Sequence, residues 1–194
     1  MDALRPTVAL FAKYPRAGEV KTRLIPALGE EGAAQLHRRL VERTIATVRE
    51  SGLDLVLYAS GAALGDFTAW LGEDVRLAEQ GEGDLGARLA RVPAPAILLG
   101  ADIPDLAADH LRAAAAALAE VPVAIGPAED GGYYLLAFCE PVPFLFGGMA
   151  WGISTVRAET ERRLAERGVE WRSLPMLADC DRPEDLARWP DLSA

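Results

Sequence analysis

Lysine, histidine and cysteine are all scarce in this chain, and each scarcity removes a class of chemistry. Among 194 residues there are two histidines, His37 and His110, and two cysteines, Cys139 and Cys180. Two scattered histidines do not build a histidine metal site, nor supply a triad that depends on an imidazole base. Two cysteines outside any C-x-x-C pair indicate neither a disulfide framework nor a zinc knuckle, so free thiols and a cytoplasmic location are expected. No apolar run approaches the roughly 18 residues of a membrane span. The apolar stretch at 7–12 is also too short for the core of a secretory signal. Positive charge is in deficit: 20 Lys and Arg stand against 29 Asp and Glu, for a formal net charge of -9. That balance disfavours nonspecific binding to nucleic acid, which needs a broad basic face. Carboxylates, a few cations and the backbone are left to carry any chemistry.

What is present points to a packed α/β protein. Hydrophobic residues make up 51% and charged residues 25%, enough for a sizeable core and too apolar for extended disorder. Short apolar runs of strand length stand at 7–12, 53–59, 75–79, 96–100, 123–125, 133–138 and 169–174. Between them, apolar residues at helical spacing predict helices over 30–51, 63–71, 85–91, 106–119 and 154–167. Asp105 is expected to cap the fourth of these and Ser154 the fifth. Strands alternating with helices imply βαβ units and a mainly parallel sheet in one domain, 1–194, with no repeat and no linker. The stretch 141–148 has poor periodicity and is expected to be a flap or a subdomain edge.

Both lysines of the chain, Lys13 and Lys21, fall in one loop, Lys13-Tyr-Pro-Arg-Ala-Gly-Glu-Val-Lys-Thr-Arg-Leu24, directly after the first strand and its end at Ala12. The other eighteen basic residues are arginine. Compact ammonium charges gathered beside Gly18 suggest a loop that meets phosphate, with Lys13, Lys21 and Arg23 neutralising it and Thr22 adding a hydroxyl. The loop is not a Walker motif, because a single glycine precedes Lys21 by three. Arg16 and Glu19 are expected to pair with each other.

Ligands of open α/β sheets sit at the carboxyl ends of the strands. That rim is expected to receive the basic loop, the turn Gln80-Gly-Glu-Gly-Asp-Leu-Gly86 and the segment Ala101-Asp102-Ile103-Pro104-Asp105. Asp102 at a strand end suits Mg²⁺ or Mn²⁺, which take oxygen ligands and keep water and substrate phosphates in their remaining positions; an Asx-turn is the plainer reading. Asp179 and Asp181, two apart, would point the same way on an extended segment and share a cation; alternatively Asp181 caps a last helix at Pro183. Gln80 offers an amide able to read a base edge, and Gly83, Asp84 and Gly86 mark a helix start able to accept an anion. Asp130-Gly131-Gly132-Tyr133-Tyr134 combines an acid, permissive glycines and rings suited to a sugar or polar acceptor. Trp151 borders that side, or begins a helix.

Taken in order, Lys13 to Leu24, Gln80 with Gly83 to Gly86, Gly100-Ala-Asp-Ile-Pro104, Gly126 to Tyr134 and Asp179 to Leu186 resemble a glycosyltransferase-like family. That family belongs to the nucleotide-diphospho-sugar transferase superfamily and is sometimes encoded beside radical-SAM and selenoprotein-domain proteins. Molybdenum cofactor and 2-phospholactate guanylyltransferases share its plan. The resemblance implies a GT-A, Rossmann-like three-layer fold, and Mg²⁺ or Mn²⁺ at Asp102 and Asp181. It further implies phosphates wrapped by the 13–23 loop and a base read by Gln80 and the 83–86 turn. The expected activity is transfer from a nucleotide-sugar to a small-molecule acceptor, with Asp130 contacting or activating the acceptor hydroxyl. The alternatives are nucleotidyl transfer from a triphosphate to a phosphorylated acceptor and a non-catalytic nucleotide-binding module. The chain departs from the family pattern at Ala101 and Ile103, where serine and cysteine are expected.

Overall fold

The computed structural model describes residues 5–192. Seven strands form one sheet: β1 (Thr7–Lys13), β2 (Leu55–Ser60), β3 (Leu77–Glu79), β4 (Ala96–Leu99), β5 (Val123–Pro127), β6 (Tyr133–Phe138) and β7 (Trp171–Ser173). Their spatial order is β3-β2-β1-β4-β6-β5-β7. β1 to β4 pair in parallel, as do β5 and β7, and β6 alone runs against its neighbours. The mainly parallel α/β architecture expected from the alternation of elements is therefore present.

Helices cover both faces. α1 (Ile25–Ser51), α2 (Leu64–Leu71) and α4 (Ala108–Ala117) lie on one, α3 (Leu85–Leu89) and α5 (Val156–Glu166) on the other. Alternation along β1 shows the division: Val8, Leu10 and Ala12 join the core beneath α1, while Ala9 and Phe11 face the opposite core. Central β4, AILL, is buried at every position because helices cover both its sides. A third, smaller apolar cluster joins Leu24, Leu36 and Leu40 to Cys180, Trp189 and Leu192. It clamps the basic loop and the start of α1 to the C-terminal segment, segments more than 150 residues apart in the chain.

Several element ends differ from the sequence expectation. The kink of α1 falls at Gly29, whose φ of 73° and ψ of 170° leave the helix, so the predicted start at residue 30 coincides with the second, regular part. α4 starts at Ala108, not 106, and Asp105 does not cap it: the ring of His110 accepts the Ala107 N–H at 3.0 Å, while Asp105 accepts Trp189 Nε1 at 3.0 Å. Ser154 is not a cap either, since α5 begins after Thr155. Asp181 caps nothing. The 3-10 helix Pro183–Arg188 begins after Arg182, and Asp185 accepts the N–H groups of Asp181 and Arg182 at 3.0 and 2.7 Å. The 141–148 stretch is no loose flap: Leu145 and Phe146 are buried, and the Arg163 guanidinium donates to the carbonyls of Phe144, Leu145 and Gly147.

Candidate active site

The loops leaving β1, β3, β4, β5 and β7 reach the same edge of the sheet, as the parallel register requires. At its centre is Lys21. Among the described residues it is the one non-glycine with positive φ, at φ 47° and ψ 41°, just before the 3-10 turn Thr22–Leu24. Left-handed backbone costs a residue with a side chain about 1 kcal/mol or more, so something must hold it there. The ammonium supplies the anchor. Its Nζ lies 2.6 Å from Asp102 Oδ1 and 3.7 Å from Asp181 Oδ1, and it donates to the Cys180 carbonyl at 2.7 Å. The Lys21 side chain is 4% exposed, whereas Asp102 is 51% and Asp181 30% exposed. One buried cation is thus gripped by two carboxylates whose outer sides reach solvent.

Backbone geometry fixes this arrangement. The Cys180 N–H donates to the Asp102 carbonyl at 2.8 Å, tying the C-terminal segment to the strand-end loop. Buried Cys180 sits in the apolar clamp described above, and burial raises its thiol to about 11, which keeps it neutral. Asp181 also accepts Arg23 Nη1 at 2.5 Å. Asp179 makes no ion pair among the described residues, and its carboxyl is pushed up by desolvation and by the nearby charges of Asp130, Asp185 and Asp181. Desolvation pushes the Asp102 carboxyl up, but the charge and hydrogen bond of Lys21 outweigh it, and the group ends below its ordinary value. For Lys21, desolvation pulls down and Asp102, with Asp181 behind it, carries the ammonium above its ordinary value.

Other residues of the basic loop stand around this core. Lys13 donates to the carbonyl of Glu19 and pairs with its carboxylate, each at 3.1 Å, and Arg16 pairs with the same side chain at 3.1 Å. The expected Arg16–Glu19 pair is present. Gly18 adopts φ 76° and faces the Glu30 carboxylate, a poor neighbour for a phosphate. Thr22 is exposed at the head of its turn. His37, which sequence reasoning left without a role, reaches from α1 to the carbonyl of Lys13 at 2.8 Å. Burial lowers its pKa and keeps it neutral, so it donates Nε2–H to that carbonyl and holds the end of β1. A buried histidine on the apolar side of a helix was the available signal.

The turn after β3 is arranged differently from expectation. Gln80 is buried; its Nε2 donates to the Tyr58 carbonyl at 3.0 Å and the Ala12 carbonyl at 3.5 Å, and its Oε1 accepts Arg88 Nη1 at 3.2 Å. Its amide therefore ties the strand ends together instead of facing a base. The anion expected at the start of α3 is the chain's own: Asp84 accepts the Ala87 N–H at 2.8 Å. Gly83 takes φ 98°, and Gly86 is required for packing, since a Cβ there would meet the Phe146 carbonyl oxygen at 2.5 Å.

On the opposite side of the Gly100–Asp102 segment lies a cavity of about 240 Å³ beside β6, lined by Phe11, Leu89, Leu98, Tyr133, Trp151 and Asp130 among others. Asp130 accepts the Gly132 N–H at 2.8 Å. Gly131 does not open space for a ligand: at φ 90°, its Cβ would stand 2.1 Å from the Ser154 carbonyl oxygen. Tyr134 is the core residue of the pair, its ring against Gly126 and its hydroxyl donating to the Pro175 carbonyl at 3.1 Å. The Tyr133 hydroxyl and Trp151 Nε1 are buried without a hydrogen-bond partner among the described residues.

A divalent cation fits the Asp102–Asp181 pair by the chemistry of its donors. Both are hard carboxylate oxygens, both approach one cationic nitrogen within 4 Å, and both keep solvent access. Among the described residues no group of three or more His, Cys, Asp or Glu side chains forms a full cage. Two protein ligands with water and substrate phosphates completing the shell is the usual way Mg²⁺ is held.

Known proteins share the family and the fold of this chain. The family model described as "Uncharacterized protein conserved in bacteria (DUF2064)" matches residues 44–153. A structure from Desulfovibrio desulfuricans G20, provisionally described as a nucleotide-diphospho-sugar transferase, is 30% identical with a TM-score of 0.87, over 96% of this chain and 87% of that one. A nucleotidyl transferase from Methanothermobacter thermautotroptrophicus is 21% identical with a TM-score of 0.63, over 97% of each chain. Glucosyl-3-phosphoglycerate synthase from Mycobacterium tuberculosis, solved with Mn²⁺, UDP and glucosyl-3-phosphoglycerate, is 12% identical with a TM-score of 0.58, over 98% of this chain and 76% of that one. The last two share the fold. No curated protein matches the chain.

Proposed function

Since the chain belongs to the DUF2064 family, we propose that it is a divalent-metal-dependent transferase acting from an activated nucleotide, and specifically a nucleotide-sugar glycosyltransferase. The observation that carries this is the Lys21 ammonium held between Asp102 and Asp181 at the carboxyl edge of the sheet. It marks a cation position built from loops far apart in sequence. The 30%-identical Desulfovibrio relative bears a nucleotide-diphospho-sugar transferase description, and the glucosyl-3-phosphoglycerate synthase with the same fold was solved with Mn²⁺ and UDP.

Asp102 and Asp181 would hold the metal, which when bound neutralises the diphosphate and stabilises it as a leaving group. Lys13 and Arg23, at the exposed rim of the same loop, bind and orient that diphosphate. Lys21, released from its carboxylates, adds a third cation. The acceptor oxygen forms its bond to the anomeric carbon as the bond from that carbon to the diphosphate oxygen breaks. The bonding pair leaves with the nucleoside diphosphate, and the acceptor proton passes to Asp130. His37 and Gln80 act through backbone, holding the ends of β1 and β2.

A second reading, nucleotidyl transfer from a triphosphate to a phosphorylated acceptor, draws on the basic loop and needs no general base. The products separate the two. The protein is incubated with a panel of nucleotide-sugars and of triphosphates, with Mg²⁺ or Mn²⁺, and with hydroxyl and phosphorylated acceptors. Release of nucleoside diphosphate supports glycosyl transfer; release of inorganic diphosphate replaces it with the second reading. Nucleotide binding without either product leaves a regulatory module.

A further inference from the structure

The cavity beside β6 differs in character from the charged edge next to it. Its lining contains no lysine, arginine or histidine, and Asp130 is its one carboxylate. A phosphate seated there would lose hydration without gaining a cation, a cost that no wall residue offsets. Among the described residues three large hydrophobic side chains are exposed, and two of them, Leu85 and Ile153, line this cavity. Apolar side chains left in water at the mouth of a pocket mark a surface that meets an apolar group.

Tyr133 and Trp151 add aromatic surface to the lining, while their polar atoms, the hydroxyl and Nε1, are buried away from the open space. The cavity equals roughly eight waters at their liquid volume, room for a group of about ten non-hydrogen atoms. Gly100, in the lining, stands two residues before Asp102. A molecule in the cavity therefore has one end against the edge where the donor diphosphate binds.

We infer that this cavity receives the acceptor, and that the acceptor is uncharged and largely apolar, with a ring or compact hydrocarbon body. Its nucleophilic hydroxyl lies at the Asp130 end, and its apolar body meets the side chains of Tyr133, Trp151 and Ile153. The identification of the bound molecule as acceptor rests on the glycosyltransferase reading; the class of molecule rests on the cavity alone. Phosphorylated acceptors are disfavoured, and the rings of Tyr133 and Trp151 position the ligand by contact without taking part in bond exchange.

The test uses the full chain without nucleotide or metal, so that its outcome is separate from that of the donor panel. Binding of methyl 4-hydroxybenzoate and of phenyl phosphate is measured by ligand-observed NMR and calorimetry. The neutral ester is expected to bind, and phenyl phosphate to bind at least about tenfold more weakly. Ile153→Glu alters an exposed position at the mouth and is expected to abolish ester binding. Leu85→Ser alters the other exposed apolar position of the lining, so the fold is retained, and it is expected to weaken the ester about fivefold. Equal or tighter binding of phenyl phosphate overturns the inference. So does ester binding unchanged by both variants, and loss with Ile153→Glu alone removes Leu85 from the contact surface. A donor panel with no turnover, alongside normal ester binding, contradicts the transferase reading and leaves the class of ligand standing.

Discussion

The ammonium of Lys21 lies 2.6 Å from Asp102 Oδ1 while only 4% of its side chain meets solvent. The lysine expected to bind phosphate is here the internal counter-ion of two carboxylates. It neutralises the pair, and on the proposed reading it releases them when a divalent cation enters. Three expectations follow for the site, two for the scaffold.

Lys21→Met keeps most of the side-chain volume and removes the charge. It leaves the Asp102 carboxylate and the Cys180 carbonyl without their donor and Asp181 with Arg23 alone, so the melting temperature should fall by several degrees, about 1–3 kcal/mol. Millimolar Mn²⁺ should then raise the variant's melting temperature more than the wild type's, because binding no longer competes with an ammonium. Thermal denaturation with and without Mn²⁺ measures both. Equal metal shifts in the two proteins would show that Lys21 and the metal do not share a place.

Asp102→Asn and Asp181→Asn should each lower turnover with any active donor by about 10²–10³-fold, the scale of losing one electrostatic stabiliser of developing charge. Asp179→Asn should leave it within a few-fold, because Asp179 lies outside the ion-paired group. Steady-state kinetics with saturating Mg²⁺ distinguishes them, and circular dichroism confirms the fold of each.

His37 gives a pH dependence whose sign follows from burial. Its pKa is lowered from 6.5, so the unfolded chain binds a proton that the folded protein resists. Its stabilising contribution is complete above about pH 6.5 and is lost as pH falls through the lower folded value. The carboxylate of Asp102, also lowered, produces its loss in a separate window, below the ordinary value of 3.8. Urea midpoints between pH 7.5 and 5 should fall for the wild type and stay nearly flat for His37→Gln. A slope unchanged by that substitution would assign the effect to another group.

Tyr133→Phe should stabilise the empty protein. A buried hydroxyl without a partner carries a desolvation penalty, and replacing it by an apolar isostere recovers about 1 kcal/mol, roughly 2–4 °C for a chain of this size. A lower melting temperature would mean that the hydroxyl is satisfied in solution.

Gly131→Ala tests the opposite property. With φ 90° and the Ser154 oxygen 2.1 Å from the position of the new methyl, the turn after β5 must open. The expected loss is at least about 2 kcal/mol. Retention of the wild-type melting temperature would mean that the 152–155 segment yields.

Much of the fold was legible in the sequence because its signals are local. The buried run AILL, the helical spacing of Leu36, Leu40, Ile45 and Val48, and Gly52 after α1 each report on near neighbours. The convergence of Lys21 and the strand-end Asp102 on one edge was legible as well, the first from the scarcity of lysine and the second from its place after a buried strand. What was not legible is where side-chain hydrogen bonds end. Gln80 and Asp84 look free in sequence, but the first is satisfied by carbonyls of β1 and β2 and the second by its own helix. Asp105 looked like a cap because it opens a helix by spacing, whereas Trp189, 84 residues later, claims its carboxylate. The clamp between Leu24 and Cys180 is equally silent in sequence, and it decides which of Asp179 and Asp181 meets Lys21.

Diffraction from crystals soaked in Mn²⁺ and a nucleoside diphosphate, with data at the manganese edge, addresses the metal position itself. The expected result is an anomalous peak bonded to Asp102 and Asp181, with the Lys21 ammonium moved out towards the phosphates. Manganese bound instead at Asp130 and Asp179, with Lys21 still seated on Asp102, would contradict it.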